Sequence, residues 1–282
     1  MKIGAYNEIL DFVQSMKGRI RVANVINEFP GISKYTIGSI VSQEYQKKMK
    51  KVSYKHHDVD FVENRYHIYW TRINRGEDQV LVSLANEVEI SPSLLARTIV
   101  EKHVSVTEYD GKNVPKPVLA QMMKDTSLIK DPVLAREVDI CILDDDFYGP
   151  IVDSIRHSIG HEYEFLLKKK VDEKGLSYLD EDQMRARGYD KTPDVKLEVP
   201  ISIDGHVVNW IESKASFGDE VSHRGYLKDQ FWSYWNRFGP GLVIYWFGFI
   251  DELDTNRDKG ILLKDHFPED IVKMNPLCLS NR

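Results

Sequence analysis

"TPDVKLEVPISIDGHVVNWIESK", residues 192–214, decides how the second half of the chain folds. Its alternation puts Val195, Leu197, Val199 and Ile201 on one face of a strand and Asp194, Lys196 and Glu198 on the other. In the following stretch Val207 and Ile211 share one face, and Trp210, Glu212 and Lys214 share the other. Asp204-Gly205 between them is a strong hairpin signal. Register then decides whether the charges meet. A two-residue turn would pair Leu197 with Glu212 and send Asp194 to the face opposite Glu212 and Lys214. A three-residue loop with Gly205 in a left-handed bulge shifts the parity. It gathers Asp194, Glu212 and Lys214 on one face and Val195, Leu197, Val199, Val207 and Ile211 on the other. The bulged loop satisfies both faces and is the expected one.

The flanking segments supply the layers. "IVDSIRHSIGHEYEFLLKKKV" (151–171) is a long helix with Ile155, Ile159, Tyr163, Leu166 and Leu167 as its buried stripe. Glu162 stands at the edge of that stripe and Glu164 further round toward solvent, so Glu162 is the expected helix acid. "HRGYLKDQFWSYWNRFGPG" (223–241) gives a helix over about 224–238, stopped by Gly239-Pro240, and the apolar strand "LVIYWFGF" (242–249) follows. Helix, hairpin, helix, strand is the order of an α/β sandwich with a mixed sheet.

The first half is helical. In "RVANVINEFPGISKYTIGSIVSQEYQKKMKK" (21–51) a break separates two helices, with Ser33 as N-cap of the second. In "VLVSLANEVEISPSLLARTIVEKHV" (80–104) Leu81, Leu84 and Ala85 form one stripe and Leu94, Leu95 and Ile99 another. Ser91 caps the second helix there and Pro92 opens it. Both pairs have helix-turn-helix proportions, which plain packed helices share. More helix is expected from about Lys116 to Asp146, where "DDDFYGP" reads as capping and turn. The expected division is a helical, helix-turn-helix-like domain at 1–145 and an α/β domain at 146–282.

Composition narrows the classes. A chain of 282 residues, 42% hydrophobic and 11% aromatic, buries a real core and is not disordered. Two cysteines, Cys141 and Cys278, make no disulfide framework and, with no signal peptide evident, point to a reducing compartment. The longest apolar run is too short to span a bilayer. A net charge of −6 does not advertise nucleic-acid binding, but Lys47, Lys48, Lys50, Lys51 and Lys55 cluster without an intervening acid. That cluster is either a solvated helix end or a phosphate-contacting patch.

Two close carboxylates repel, and a hard divalent cation compensates them well. A nearby lysine would stabilise charge developing at phosphorus. Asp194, Glu212 and Lys214 therefore have the parts for phosphodiester hydrolysis, although the triplet alone is equally a structural ion pair. Gln230 and Tyr234, four apart on the following helix, share a face and can reach a phosphate, with a packed aromatic as the other reading of Tyr234. Glu162 adds a third acid. His157 and His161 have zinc-compatible spacing but lack further ligands. Asp219 and Glu220 are read as the start of the next helix.

A glutamate on a helix, then "TPD", "ESK" and "QxxxY", resembles the PD-(D/E)XK nuclease superfamily. The longer blocks "SQEYQK", "LANEV", "YLDEDQMRARGYDKTPD", "WIESKASFGDE" and "DQFWSYWNRFGPGLVIYW" are similar to the codanin-interacting branch of its TPD-motif proteins. The similarity is densest from about Leu176 to Leu263. The resemblance implies a restriction-endonuclease-like core and a helix-turn-helix-like N-terminal part. It implies magnesium or manganese held by Asp194, Glu212 and the backbone carbonyl of Ser213. It further implies DNA, branched or structured, as substrate, codanin as partner, and a nuclear and cytoplasmic location. A nuclease-like scaffold whose main role is to bind codanin is the alternative.

Overall fold

Both runs around Asp204-Gly205 form strands in the computed structural model, which describes residues 1–16, 18, 20–56 and 58–275, with the backbone alone for 53–56. The strands are β1 (Tyr178–Asp180), β2 (Val195–Ile203), β3 (His206–Lys214), β4 (Gly241–Tyr245), β5 (Ile261–Lys264) and β6 (Val272–Lys273). They make one mixed sheet in the order β1-β2-β3-β4-β5, with β6 also on β2. The β1, β2, β3 and β6 pairings are antiparallel, whereas β3, β4 and β5 run parallel.

The hairpin reaches the expected parity by a different route. Its turn has two residues, Asp204 and Gly205, both left-handed (φ 51° and 80°), and Ile203 faces His206 across it. This is the turn that fits strand twist and favours Asp-Gly. The expected three-residue bulged loop is therefore corrected. The parity changes inside β2 instead: Ile201 pairs with Val208, but Lys196 pairs with Trp210 and Val195 with Ile211. The slip spans Pro200, which has no N–H to give to a ladder. Asp194, one residue before Val195, consequently stands opposite Glu212. Val199 and Val207 are half exposed rather than on the buried face, one in the irregular stretch and the other beside the turn.

The sheet is covered on both faces. Val195, Leu197, Ile211, Leu242 and Ile244 pack with Leu167 and Val171 of the helix Pro150–Glu173. The buried stripe of that helix thus lies a turn later than expected, and Ile155 is 53% exposed. Trp210, Val243 and Tyr245 pack with Phe231 and Tyr234 on the other face. Those two come from a run made of the helix Glu220–Tyr226, a π-helical turn Leu227–Phe231 and the helix Trp232–Phe238. Asp219 caps its start by accepting from the Ser222 N–H. Gly241 lies directly under the Trp210 ring, where a Cβ would come within 2.1 Å of it. Full burial of side chains such as Leu167 or Ile211 contributes ~1.5–3 kcal/mol each.

The chain clusters into two compact units. One consists of Met1–Asp11, Phe29–Ile40 and Ser158–Arg282, the other of Phe12–Glu28 and Val41–His157. In the first, Tyr6 stacks on Phe217 and Ser39 Oγ accepts from the Phe217 N–H. The second is helical, with Tyr69, Leu81, Leu84, Leu95, Ile99, Leu134 and Val138 at its core. Ser91 caps the helix Pro92–Glu108 as the sequence indicates. Asp145 takes the N–H groups of Ser93, Phe147 and Tyr148, so the acidic run serves as a cap. Cys141 is buried and in no disulfide; Cys278 lies outside the described residues. Among the described residues no helix is long and apolar enough to cross a membrane.

Candidate active site

Residues 212 and 214 point the same way because strand side chains alternate, and the ladder brings Asp194 across from them. Asp194 Oδ2 accepts from the Ser213 N–H at 2.7 Å. Glu212, only 4% exposed, accepts on Oε1 from Lys214 Nζ at 2.6 Å. Lys214 Nζ also donates to Gln230 Oε1 at 2.9 Å and lies 4.7 Å from the centre of the Tyr226 ring. Gln230 is presented by the π-helical turn, a local widening that re-aims side chains and recurs at functional sites. Asp194, Glu212, Lys214 and Gln230 are thus brought together from two strands and a helix.

The electrostatics are out of balance. Burial, then the neighbouring Glu212 charge, pushes the Asp194 carboxyl well above the usual carboxylate range, against the Ser213 N–H and Lys214. Burial likewise raises Glu212, against the pull of Lys214. Burial alone would lower Lys214, but Glu212 and then Asp194 outweigh it, so its pKa is raised and the ammonium persists. One ammonium thus stands against two acids, Glu212 buried and Asp194 half-buried.

Glu212 Oε2 is buried and has no hydrogen-bond partner. An orphaned carboxylate oxygen beside a second, half-buried carboxyl fits a cation, which would lower both raised pKa values. No group of three or more His, Cys, Asp or Glu side chains is gathered to hold an ion among the described residues. Two carboxylates completed by carbonyl, water and phosphate oxygens suit magnesium or manganese, not a closed zinc site. His157 and His161 are both exposed.

The remaining residues fall differently from the expectation. Glu162 is exposed; Glu164 pairs with His161, and its charge adds a minor push, after burial and Glu212, to the raised Asp194 carboxyl. Tyr234 is 4% exposed and meets Trp210 edge-on at 5.3 Å. It is a packed aromatic whose hydroxyl is raised by burial first and by Glu212 and Asp194 next. Sequence reasoning passed over Glu181, whose charge raises Glu212 and which accepts from Thr192 Oγ1 at 3.1 Å and from Arg185. The Asp180/Gln183 capping box marks that short helix in the sequence, but nothing local aims Glu181 at Glu212.

The lysine cluster belongs to the helical unit. Lys47 pairs with Glu44 and Lys48 with Glu89, whereas Lys50 and Lys51 are exposed. The Lys55 side chain lies outside the described residues.

A family model described as "Protein of unknown function TPD sequence-motif" matches residues 130–267. Relatives named "CDAN1-interacting nuclease 1" align along nearly the whole chain. That of Xenopus laevis is 55% identical over 95% of this chain and 89% of its own. The Homo sapiens protein is 52% identical over 95% and 96%, and the Gallus gallus protein 47% identical over 95% and 95%. No solved structure matches.

Proposed function

The chain belongs to the family of the CDAN1-interacting nucleases, and on that premise we propose that it is a magnesium- or manganese-dependent phosphodiesterase that cuts DNA and binds CDAN1, the codanin of the sequence reading. The α/β unit is read as a PD-(D/E)XK core, with a helix-turn-helix-like N-terminal part. On the same reading it works in the nucleus and cytoplasm.

The observation that carries the reading is the unpartnered Glu212 Oε2 beside Asp194, with Lys214 locked between Glu212 and Gln230. Asp194 and Glu212 would hold the ion, with the Ser213 carbonyl as a further oxygen. When bound, the ion supplies charge neutralisation and Lewis acidity at the scissile phosphate. Gln230 fixes the direction of the Lys214 ammonium. Two of its three N–H donors are engaged by Glu212 and Gln230, which leaves one for a phosphate oxygen as charge develops there. Burial excludes water from these groups and strengthens each interaction.

The test pairs two assays on Asp194→Asn in the purified full chain. Cleavage in magnesium should disappear and CDAN1 binding, by calorimetric titration, should stay unchanged. Loss of partner binding would mean that the cleft itself is the interface, and a seated partner would exclude substrate. The scaffold reading would then prevail.

A further inference from the structure

Resting on the nuclease reading, we propose that a chain of aromatic rings beside the catalytic strand is a stacking platform for unpaired nucleotides, so that single-stranded DNA is the form led to the site. The array begins at the surface. Tyr35, 51% exposed, sits in the first turn of the helix Lys34–His56 and stacks on Phe247, with ring centres 5.6 Å apart and planes 21° from parallel. Phe247 meets Tyr163 edge-on at 5.3 Å, and Tyr163 lies 5.3 Å from Trp246. The Trp246 indole N–H donates to Ser213 Oγ at 2.8 Å. Ser213 is the residue between Glu212 and Lys214, and Tyr163 precedes the acid, Glu164, that acts on Asp194.

The array is fixed rather than adventitious. Thr36 Oγ1 donates to the Phe247 carbonyl at 2.7 Å, so the side chain next to Tyr35 anchors the backbone of the ring beneath it. The Lys34 ammonium lies 5.2 Å from the centre of the Tyr35 ring and supplies the positive charge that a phosphate needs. An exposed ring with a cation on a flexible side chain over it, continuous with a phosphodiesterase site, matches how single strands are held: bases stack once the lysine swings aside, and phosphates find the cation. Along a duplex the bases already stack on one another and offer Tyr35 no free face, except at the outer face of each terminal pair.

The full chain is titrated by fluorescence anisotropy, in EDTA so that nothing is cut, with a short labelled dT oligonucleotide and with a blunt duplex. Tyr35→Ala should weaken dT binding about tenfold, the effect of losing one stacked base. Tyr35→Phe, which keeps the ring, should bind as wild type does. Phe165→Ala, which removes a 70% exposed ring outside the array, should also match wild type. An abasic strand with its phosphates intact should bind wild type as weakly as dT binds Tyr35→Ala. Equal dT affinity of Tyr35→Ala and wild type overturns the proposal, as does absence of dT binding. A loss shared by the duplex also overturns it, since the grip would then be on phosphate. A Tyr35→Ala defect confined to CDAN1 binding overturns it in favour of a protein surface. The nuclease reading is judged separately, by Asp194-dependent cutting of any strand in magnesium, so either can fail without the other.

Discussion

Two aspartates mark the two ends of one hairpin, and they titrate in opposite directions. Asp204, in the turn, is exposed and accepts from Lys264 Nζ at 2.6 Å and Arg257 Nη1 at 3.1 Å. The hydrogen bond from Lys264, with Arg257 helping, holds its carboxyl below the usual range. Asp194, at the open end, is held well above it by burial and by Glu212. At the turn two acids, Asp204 and Asp254, meet two cations, Lys264 and Arg257, near water. At the open end a buried and a half-buried acid share one ammonium. The first is a balanced surface cluster that stabilises a turn. The second is under-compensated, which a purely structural ion pair would not be, and this is the physical ground for a cation site.

The largest effects should come from breaking the open end. Asp194→Asn should reduce DNA cutting to background while the fold, followed by circular dichroism, persists. Retained cutting would move the site elsewhere. Lys214→Ala should lower cutting ~10²–10³-fold with metal affinity nearly intact. Equal cleavage by mutant and wild type would mean that another group or a contaminant is responsible. Glu164→Gln should lower activity roughly 10–100-fold through weakened metal binding, while Glu162→Gln should have little effect. The reverse ranking would restore Glu162 as the helix acid.

The contrast also sets opposite pH slopes. A carboxyl raised on folding, such as Asp194, contributes stability that is present below the unfolded pKa of about 3.9 and is lost as pH rises through its folded value. In metal-free protein, Asp194→Asn should therefore gain in melting temperature relative to wild type as pH rises above that range, and magnesium should reverse the ranking. Asp204, lowered on folding, contributes stability above about pH 3.9 that is lost as pH falls. Asp204→Asn should cost at most ~1 kcal/mol near neutrality, and less in high salt, because the cluster is solvent-screened. A denaturant titration that assigned it several kcal/mol would make the turn, not the core, the hairpin's main anchor.

How far the sequence reached follows the same division. Alternation in 195–203 and 206–214 and the Asp-Gly turn made the hairpin legible, and the caps at Ser91 and Asp219 made two helix starts legible. The meeting of Asp194 with Glu212 was legible as well, because the charges had to leave the apolar face. Its cause was not: a slip across Pro200 depends on β3 pairing and leaves no turn signature. Spacing along the helix could not decide between Glu162 and Glu164, because both flank the stripe through Tyr163 and Leu167, and which flank turns toward Asp194 is set by how the helix lies on the sheet. The π-helical turn that delivers Gln230 has no local signal, since its extra residue is stabilised by packing of Phe231 under the sheet. Glu181 escaped because its approach to Glu212 is tertiary.

On the proposed reading, the excess negative charge at the open end of the hairpin is a cation site. Crystals soaked in manganese, with data collected at a wavelength where manganese scatters anomalously, test it directly. An anomalous peak is expected between the Asp194 and Glu212 carboxylates and should be lost in Asp194→Asn. Clear density for both carboxylates with no peak between them, or a peak held elsewhere in the chain, would contradict it.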